Sequence, residues 1–313
     1  MSKKQGFMVG AMILSLSGFL VKLIGAVFKI PLTNLVGTEA MGYFNSAYSI
    51  YVFLLSLATS GIPTGIAAMV SRSIALRQFR DVKNMVRMAF VLFVIFGLVI
   101  SGAGILFAPQ LAELMNSADA YYCVVSIMPA IFFMSIVSVF RGFFQGHNNM
   151  TPTAISNIIE AVVKMAAGLG IAYFLSWKGY PPAQVVGGAI SGITLGTALS
   201  ALFMVFRYLF RSETYRLSLG EFVRETPTPK KKLLQQFFLI AFPVMISSVT
   251  SNLMSAVDAF FVVNRMKTYL GVEMANFNWG CYGSMALTIF NLPSFLIIAI
   301  GTSLVPSISS AFA

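Results

Sequence analysis

Charged residues make up only 10% of this 313-residue sequence. A soluble domain of that length carries about 25%, so a water-facing globular surface is excluded. Two cysteines, Cys123 and Cys281, and a single histidine, His147, are too few for a disulfide framework or a Cys/His metal cluster. No metal and no cofactor is expected. Acidic residues number 10 against 21 lysines and arginines, and on one side they are scattered through the loops rather than gathered into a metal-binding group. There is no low-complexity tract. The N-terminal apolar run resembles a signal peptide, but Lys22 interrupts it and no clear A-x-A site follows, so it reads as a retained first helix.

What is abundant is apolar sequence, 58% of the chain. Runs of about 20 apolar residues mark spanning helices, and eight are read here: 9–33, 44–70, 85–107, 122–144, 152–175, 185–209, 234–263 and 281–306. The fold class is therefore all-α, a polytopic membrane helical bundle. Basic residues set its orientation. Lys3 and Lys4, the Arg72–Arg87 connection, Arg141, and the run from Arg207 to Lys232 all fall on one side. That side is expected to be cytoplasmic, with the N-terminus inside. Much of the net charge of +11 then reflects topology and contact with anionic lipid rather than nucleic-acid binding.

The informative residues are the polar ones inside the apolar runs. Ser15, Gly18, Lys22, Gly25 and Lys29 step by three and four along the first span and share one face. At 1.5 Å per residue, Lys22 stands about 20 Å from Val9 and Lys29 about 30 Å. The fifth span starts with Thr151 as its expected N-cap and Pro152 in its first turn. It then carries Glu160 and Lys164, which at i,i+4 are expected to form an intramembrane ion pair. In the second span, Gly61, Pro63 and Gly65 weaken the helix and suggest a hinge. The eighth span ends in TSLVP, with Pro306 placed like Pro63 in TSGIP, a trace of an internal repeat. In the seventh, Ser248, Ser251, Ser255 and Asp258 form a polar stripe. Pro227 and Pro229 interrupt the basic stretch between the sixth and seventh spans, whose segment RSETYRLSLGEFVRE looks amphipathic. The chain divides accordingly into a six-helix lobe (1–210), a basic cytoplasmic linker (211–232) and the first two helices of a second lobe (233–313). It is expected to be the N-terminal part of a longer protein.

Three stretches carry a family resemblance: SGFLVKLIGAVFKIPLTNLVGTEAMGYFNSAYSI, LATSGIPTGIAAMVS and, most specifically, RGFFQGHNNMTPTAISNIIEAVVK. The sequence resembles the MurJ/SpoVB-like flippases of the multidrug/oligosaccharidyl-lipid/polysaccharide exporter superfamily. The resemblance implies a MATE-like two-lobe architecture of fourteen helices, about eight of them present here, with a central cavity lined by helices one, two, seven and eight. It implies alternating access and outward movement of a polyprenyl-pyrophosphate-linked saccharide such as lipid II, in cell-wall or polysaccharide biosynthesis or sporulation. The setting implied is the bacterial plasma membrane. It also implies that the loop around Arg141, Gln145, Asn148 and Pro152 closes the cytoplasmic side. Cavity arginines on helices two and eight, present in the MurJ branch, are missing here, and Lys22 alone carries over as a cavity cation. The sequence is closer to the SpoVB-like branch.

A diphosphate headgroup taken out of water needs cations, and Lys22 and Lys29 are the candidates to bind it. Ser251, Asn252, Ser255 and Asp258 are the candidates to accompany sugar hydroxyls. Lys29 and Asp258 are also candidates to meet when the outer side closes. Two alternatives stay open: a cation-coupled multidrug exporter using Glu160 and Asp258 as coupling sites, and a polytopic enzyme acting on polyprenyl lipids. The first is disfavoured by a positive cavity. The second is disfavoured by the lack of clustered acids or metal ligands, so a non-enzyme is expected. Orientation is open to a direct measurement. Single cysteines placed in the Arg72–Lys83 and Arg211–Lys232 connections should resist an impermeant thiol reagent in intact cells, and labelling of either reverses the topology.

Overall fold

A computed structural model describes residues 7–114, 118–210 and 228–290. These residues are helical almost throughout. In chain order they form α1 (Phe7–Thr59), α2 (Ile62–Ala75), α3 (Phe79–Leu106), α4 (Ala108–Leu114), α5 (Tyr121–Ile127), α6 (Pro129–Gly146), α7 (Thr151–Trp177), α8 (Pro182–Leu209), α9 (Lys230–Leu270) and α10 (Val272–Gly280). A π-helical turn, Cys281–Ala286, follows α10 without a break. Among the described residues, six helical runs are long and apolar enough to cross a membrane. The chain is an all-α, polytopic membrane protein.

The first two spans are not separated by a loop. Helix α1 carries both, and its only non-helical residue is Gly37 (φ 81°, ψ 164°), a conformation open essentially to glycine. The chain reverses there, bringing the Phe28 and Phe44 rings to 6.4 Å of each other across the bend. Residues 34–43, expected as a connection, stay helical because nothing but Gly37 breaks them. The second interruption falls within TSGIPTG. Gly61 adopts a left-handed conformation (φ 80°) and α2 restarts behind it with Pro63 in its first turn. Proline is tolerated there because that N–H has no helical partner. Helix α9 starts and ends outside the expected 234–263. The eighth span begins at Val272, ahead of the expected 281.

The buried apolar residues form two clusters, one toward each membrane face. At the end away from the basic connections, Phe28, Leu32, Met41, Ile127, Ile131, Ile190 and Trp279 pack together. At the basic end, Ile66, Val70, Met85, Phe143, Met204 and Phe237 do so. Helix α9 belongs to both, through Phe237 and Ala241 at one end and Ala259 and Val263 at the other. Its start is also tied to α3 by Asp81, a buried residue in the first turn of that helix. The Asp81 carboxylate accepts the Thr228 N–H at 3.0 Å and the Thr228 hydroxyl. The amphipathic segment expected at 211–225, the TSLVP motif and Pro306 lie outside the described residues.

The most extensive helix pair is α7 with α8. Gly188, Gly192 and Gly196 repeat every four residues on α8, the small-residue spacing that lets membrane helices approach backbone to backbone. A Cβ on Gly192 would lie 2.6 Å from the Gly168 Cα and 2.7 Å from the Lys164 carbonyl, and one on Gly196 would lie 2.6 Å from the Glu160 carbonyl. Helix α8 is thus a wall against the backbone of α7 just where α7 carries its two charged side chains. Gly192→Leu should force the pair apart and destabilise the protein by about 1–3 kcal/mol, the usual range for overpacking. Gly170→Ala, with open space around it, should leave the unfolding temperature in detergent unchanged.

Candidate functional site

The fifth span starts differently from the expectation. Thr151 is the first helical residue, not the cap. The side-chain oxygen of Asn149 accepts the Thr151 N–H at 3.3 Å, so the acceptor lies two residues earlier, in the turn left by α6. This turn contains Asn148 at φ 56°, and its exposed side chain stands at the basic face with Gln145 half-buried beside it and Pro152 buried.

Two turns into α7, Glu160 meets Arg141 of α6, not Lys164. The Arg141 Nη2 lies 3.4 Å from the Glu160 Oε2, with the two side chains 14% and 26% exposed. Arg141 Nε also donates to Ser156 Oγ at 3.2 Å, and Ser156 donates in turn to the Thr153 carbonyl at 2.8 Å. The expected i,i+4 pair is therefore replaced by a pair between helices. The reason is geometric. Guanidinium offers five donors in a rigid fork and holds Ser156 and Glu160 together. The buried ring of Tyr51 and the exposed one of Tyr48 lie in the electrostatic neighbourhood of Glu160, and Tyr51 in that of Arg141 as well.

Lys164, with its carboxylate drawn toward Arg141, joins the lysines of α1. Lys22, Lys29 and Lys164 lie near enough for their charges to act on one another. Arg141 and Lys164 both lie in the field of Glu160, and Lys22 and Lys29 in that of Lys164. The sequence pattern hid Lys164 because a glutamate four residues ahead of a lysine is the favoured helical pair. Tyr48 and Tyr51, three residues apart on one face of α1, were also missed. Their spacing was the available signal.

The polar residues of α9 bond along their own helix. Ser251 donates to the Ser247 carbonyl at 3.1 Å and Asn252 to the Ser248 carbonyl at 2.9 Å, both within the helix. Ser251, Ser255 and Asp258 are exposed and Asn252 is half-buried. The expected contact of Lys29 with Asp258 is not made in this conformation. Lys29 Nζ donates instead to the Gly283 carbonyl at 2.8 Å and to Thr288 Oγ1 at 3.4 Å, because α1 packs along α10 and the turn that follows it. Asn45 of α1 donates to Ser284 Oγ at 2.9 Å in the same turn.

A family profile described as polysaccharide biosynthesis protein matches residues 7–312. The chain is 28% identical over 313 residues to Stage V sporulation protein B of Bacillus subtilis (strain 168), covering 98% of this chain and 58% of that protein. It is 24% identical over 317 residues to Lipid II flippase MurJ of the same organism, covering 97% and 58%. The chain thus spans 58% of the length of these two relatives. Among solved structures it is similar to MATE in the straight conformation, with a TM-score of 0.70 at 16% identity over 96% of this chain and 64% of that one. It is also similar to an outward-facing multidrug resistance MATE family transporter of the MOP superfamily, at 0.68 and 17% over the same shares. At these identities the structural likeness is one of fold. The activities named among these proteins, lipid flipping and multidrug transport, make and break no covalent bond.

The Arg141–Glu160 pair yields a double-mutant test. Either single alanine variant leaves a half-buried charge without its partner. Each should lose about 2 kcal/mol, less than a fully buried pair would because both side chains retain some exposure. The double variant should lose clearly less than the sum, read as unfolding temperature in detergent. Additive losses would mean the two side chains act separately.

Proposed function

Since the chain belongs to the polysaccharide biosynthesis protein family, we propose that it moves a polyprenyl-pyrophosphate-linked saccharide, lipid II-like in its headgroup, from the inner to the outer leaflet of a bacterial plasma membrane. The observation that carries this reading is the proximity of Lys22, Lys29 and Lys164 while Arg141 holds Glu160, read here as a positive excess. A diphosphate is the complementary ligand. At an effective dielectric of about 20, one charge pair 4 Å apart is worth about 4 kcal/mol. Three lysines around one diphosphate therefore offset much of the headgroup's desolvation. Lysine is a hydrated point charge on a flexible stem, suited to a ligand that must also leave. A cationic drug is disfavoured by the same positive excess.

In this reading residues 1–210 and 233–313 belong to two lobes joined by the basic linker at 211–232, and the saccharide rides between them while its tail stays in the bilayer. Ser251, Asn252, Ser255 and Asp258 face the saccharide rather than the diphosphate, in keeping with their neutral and acidic side chains. The break at Gly61 and Pro63 serves as a hinge, the role that the sequence pattern also gives to Pro306. The α6–α7 junction, with Arg141 and Gln145 on α6, Asn148 in the turn and Pro152 at the start of α7, gates the cytoplasmic side. The basic connections rest on anionic lipid.

The test is transport by the full-length protein. Lys22→Ala and Lys164→Ala should each reduce the appearance of lipid-linked saccharide on the outer leaflet at least tenfold, with membrane insertion intact, while Lys22→Arg retains most of it. Normal transport by both alanine variants would remove the cluster from the substrate path.

A further inference from the structure

Lys29 does more in this conformation than add charge. Its ammonium holds the π-helical turn that follows α10, through the Gly283 carbonyl at 2.8 Å and Thr288 Oγ1 at 3.4 Å. In that turn the Leu287 N–H reaches back five residues to the Tyr282 carbonyl. It passes over Gly283, the acceptor an α-helix would give it. Lys29 takes up the carbonyl that the wide turn passes over. Asn45, from the other arm of α1, donates to Ser284 in the same turn, so both arms of α1 grip one irregular turn of the opposite lobe. Wide turns of this kind are local departures from the α-helix that recur at functional sites.

The adjoining face of α10 carries a second sign. Asn276 is 1% exposed, and neither polar atom of its side-chain amide has a hydrogen-bond partner. Trp279, 6% exposed, buries its indole N–H in the same way. Buried polar groups without partners are unfavourable. The contact of α10 with α1 is nonetheless close, for a Cβ on Gly280 would collide with the Thr38 carbonyl and one on Gly42 with the Asn276 carbonyl. A tight contact that leaves three polar atoms unpaired is not the polar optimum for these two helices.

We infer that Lys29 is a ligand-responsive latch. Without ligand its ammonium fastens the π turn to α1. A diphosphate headgroup arriving beside Lys22 and Lys164 draws that ammonium away and frees the turn and the helix it begins. This rests on the proposal that the lysine cluster binds a diphosphate. A charged phosphate oxygen is a stronger acceptor than a neutral carbonyl, and the flexible stem of lysine lets the ammonium turn between the two. A ligand shifts a conformational equilibrium only by its different affinities for the two states. Competition for one ammonium supplies that difference, and it makes opening depend on the diphosphate rather than on the sugar or the tail.

Hydrogen–deuterium exchange on the full-length protein in lipid nanodiscs tests the latch, with geranylgeranyl diphosphate as the probe and geranylgeraniol as its uncharged counterpart. Amides of residues 282–288 should exchange about tenfold faster with the diphosphate and unchanged with the alcohol. Lys29→Met should exchange fast without ligand and not respond to it, and Lys29→Arg should start slow like the wild type. Binding of the diphosphate is measured in parallel on wild type and Lys22→Ala. If the diphosphate binds in a Lys22-dependent way and exchange over 282–288 stays the same or slows, the latch is overturned while the anion site stands. If the diphosphate does not bind at all, the anion site is overturned and the latch with it. Should Lys29→Met fail to fold, the wild-type protein with and without diphosphate decides the matter alone.

Discussion

The electrostatic character of this protein depends on which cation neutralises Glu160. A carboxylate inside an apolar bundle must be paired or neutralised, and two candidates are within reach of the same helix. Arg141 takes it, anchored by Ser156, and the consequence is felt a turn away. Lys164 is released into the company of Lys22 and Lys29. Had Glu160 paired with Lys164, Arg141 would be left on α6 without its carboxylate, and only Lys22 and Lys29 would remain together on α1. With the pair drawn to α6, Lys164 stands in the field of Lys22 and Lys29 as well as that of Glu160. An ion pair of modest strength thereby sets which cation stands beside the lysines of α1.

That arrangement is made possible by the absence of side chains elsewhere. Helix α8 presents Gly192 and Gly196 to the backbone of α7 at Lys164 and Glu160. The backbone of α7 is therefore fixed from behind, and its charged side chains project toward α6 and α1. The other glycines with structural consequence act by conformation. Gly37 turns α1 back on itself, and Gly61 restarts the chain as α2. Close packing holds one helix still, while the breaks allow its neighbours to change direction within the bilayer.

Helices α9 and α10, with the π turn that follows, touch α1–α3 through contacts of different chemistry at the two ends of the bundle. At the basic face the packing is apolar, Phe237 and Ala241 against Gly65 and Gly61, with Asp81 holding Thr228. At the opposite face it is polar: Lys29 on Gly283, Asn45 on Ser284, and unpaired groups on Asn276 and Trp279. Apolar contacts respond little to an arriving anion, whereas an ammonium on a carbonyl responds directly. A transporter with these contacts would sense its ligand at the polar face.

By itself, the sequence determined the membrane class, the helical spans, the basic face and the break at TSGIPTG, because apolar run length, charge bias and helix-breaking residues are local properties. It also singled out Glu160, Lys164, Lys22 and Lys29 as chemically important, since charge in an apolar run stands out without any structure. Partnership was beyond its reach. The i,i+4 spacing of Glu160 and Lys164 pointed to a pair within one helix, but Arg141, 19 residues away in the chain, was the better-placed donor. Asp258 was the expected neighbour of Lys29 by matching depth along two helices, yet depth does not specify which way a helix is turned, and Lys29 found a backbone carbonyl 254 residues away instead. The π turn that exposes that carbonyl has no signature in CYGSMA. Local chemistry decided which residues matter, and only the packing of one helix against another decided which of them meet.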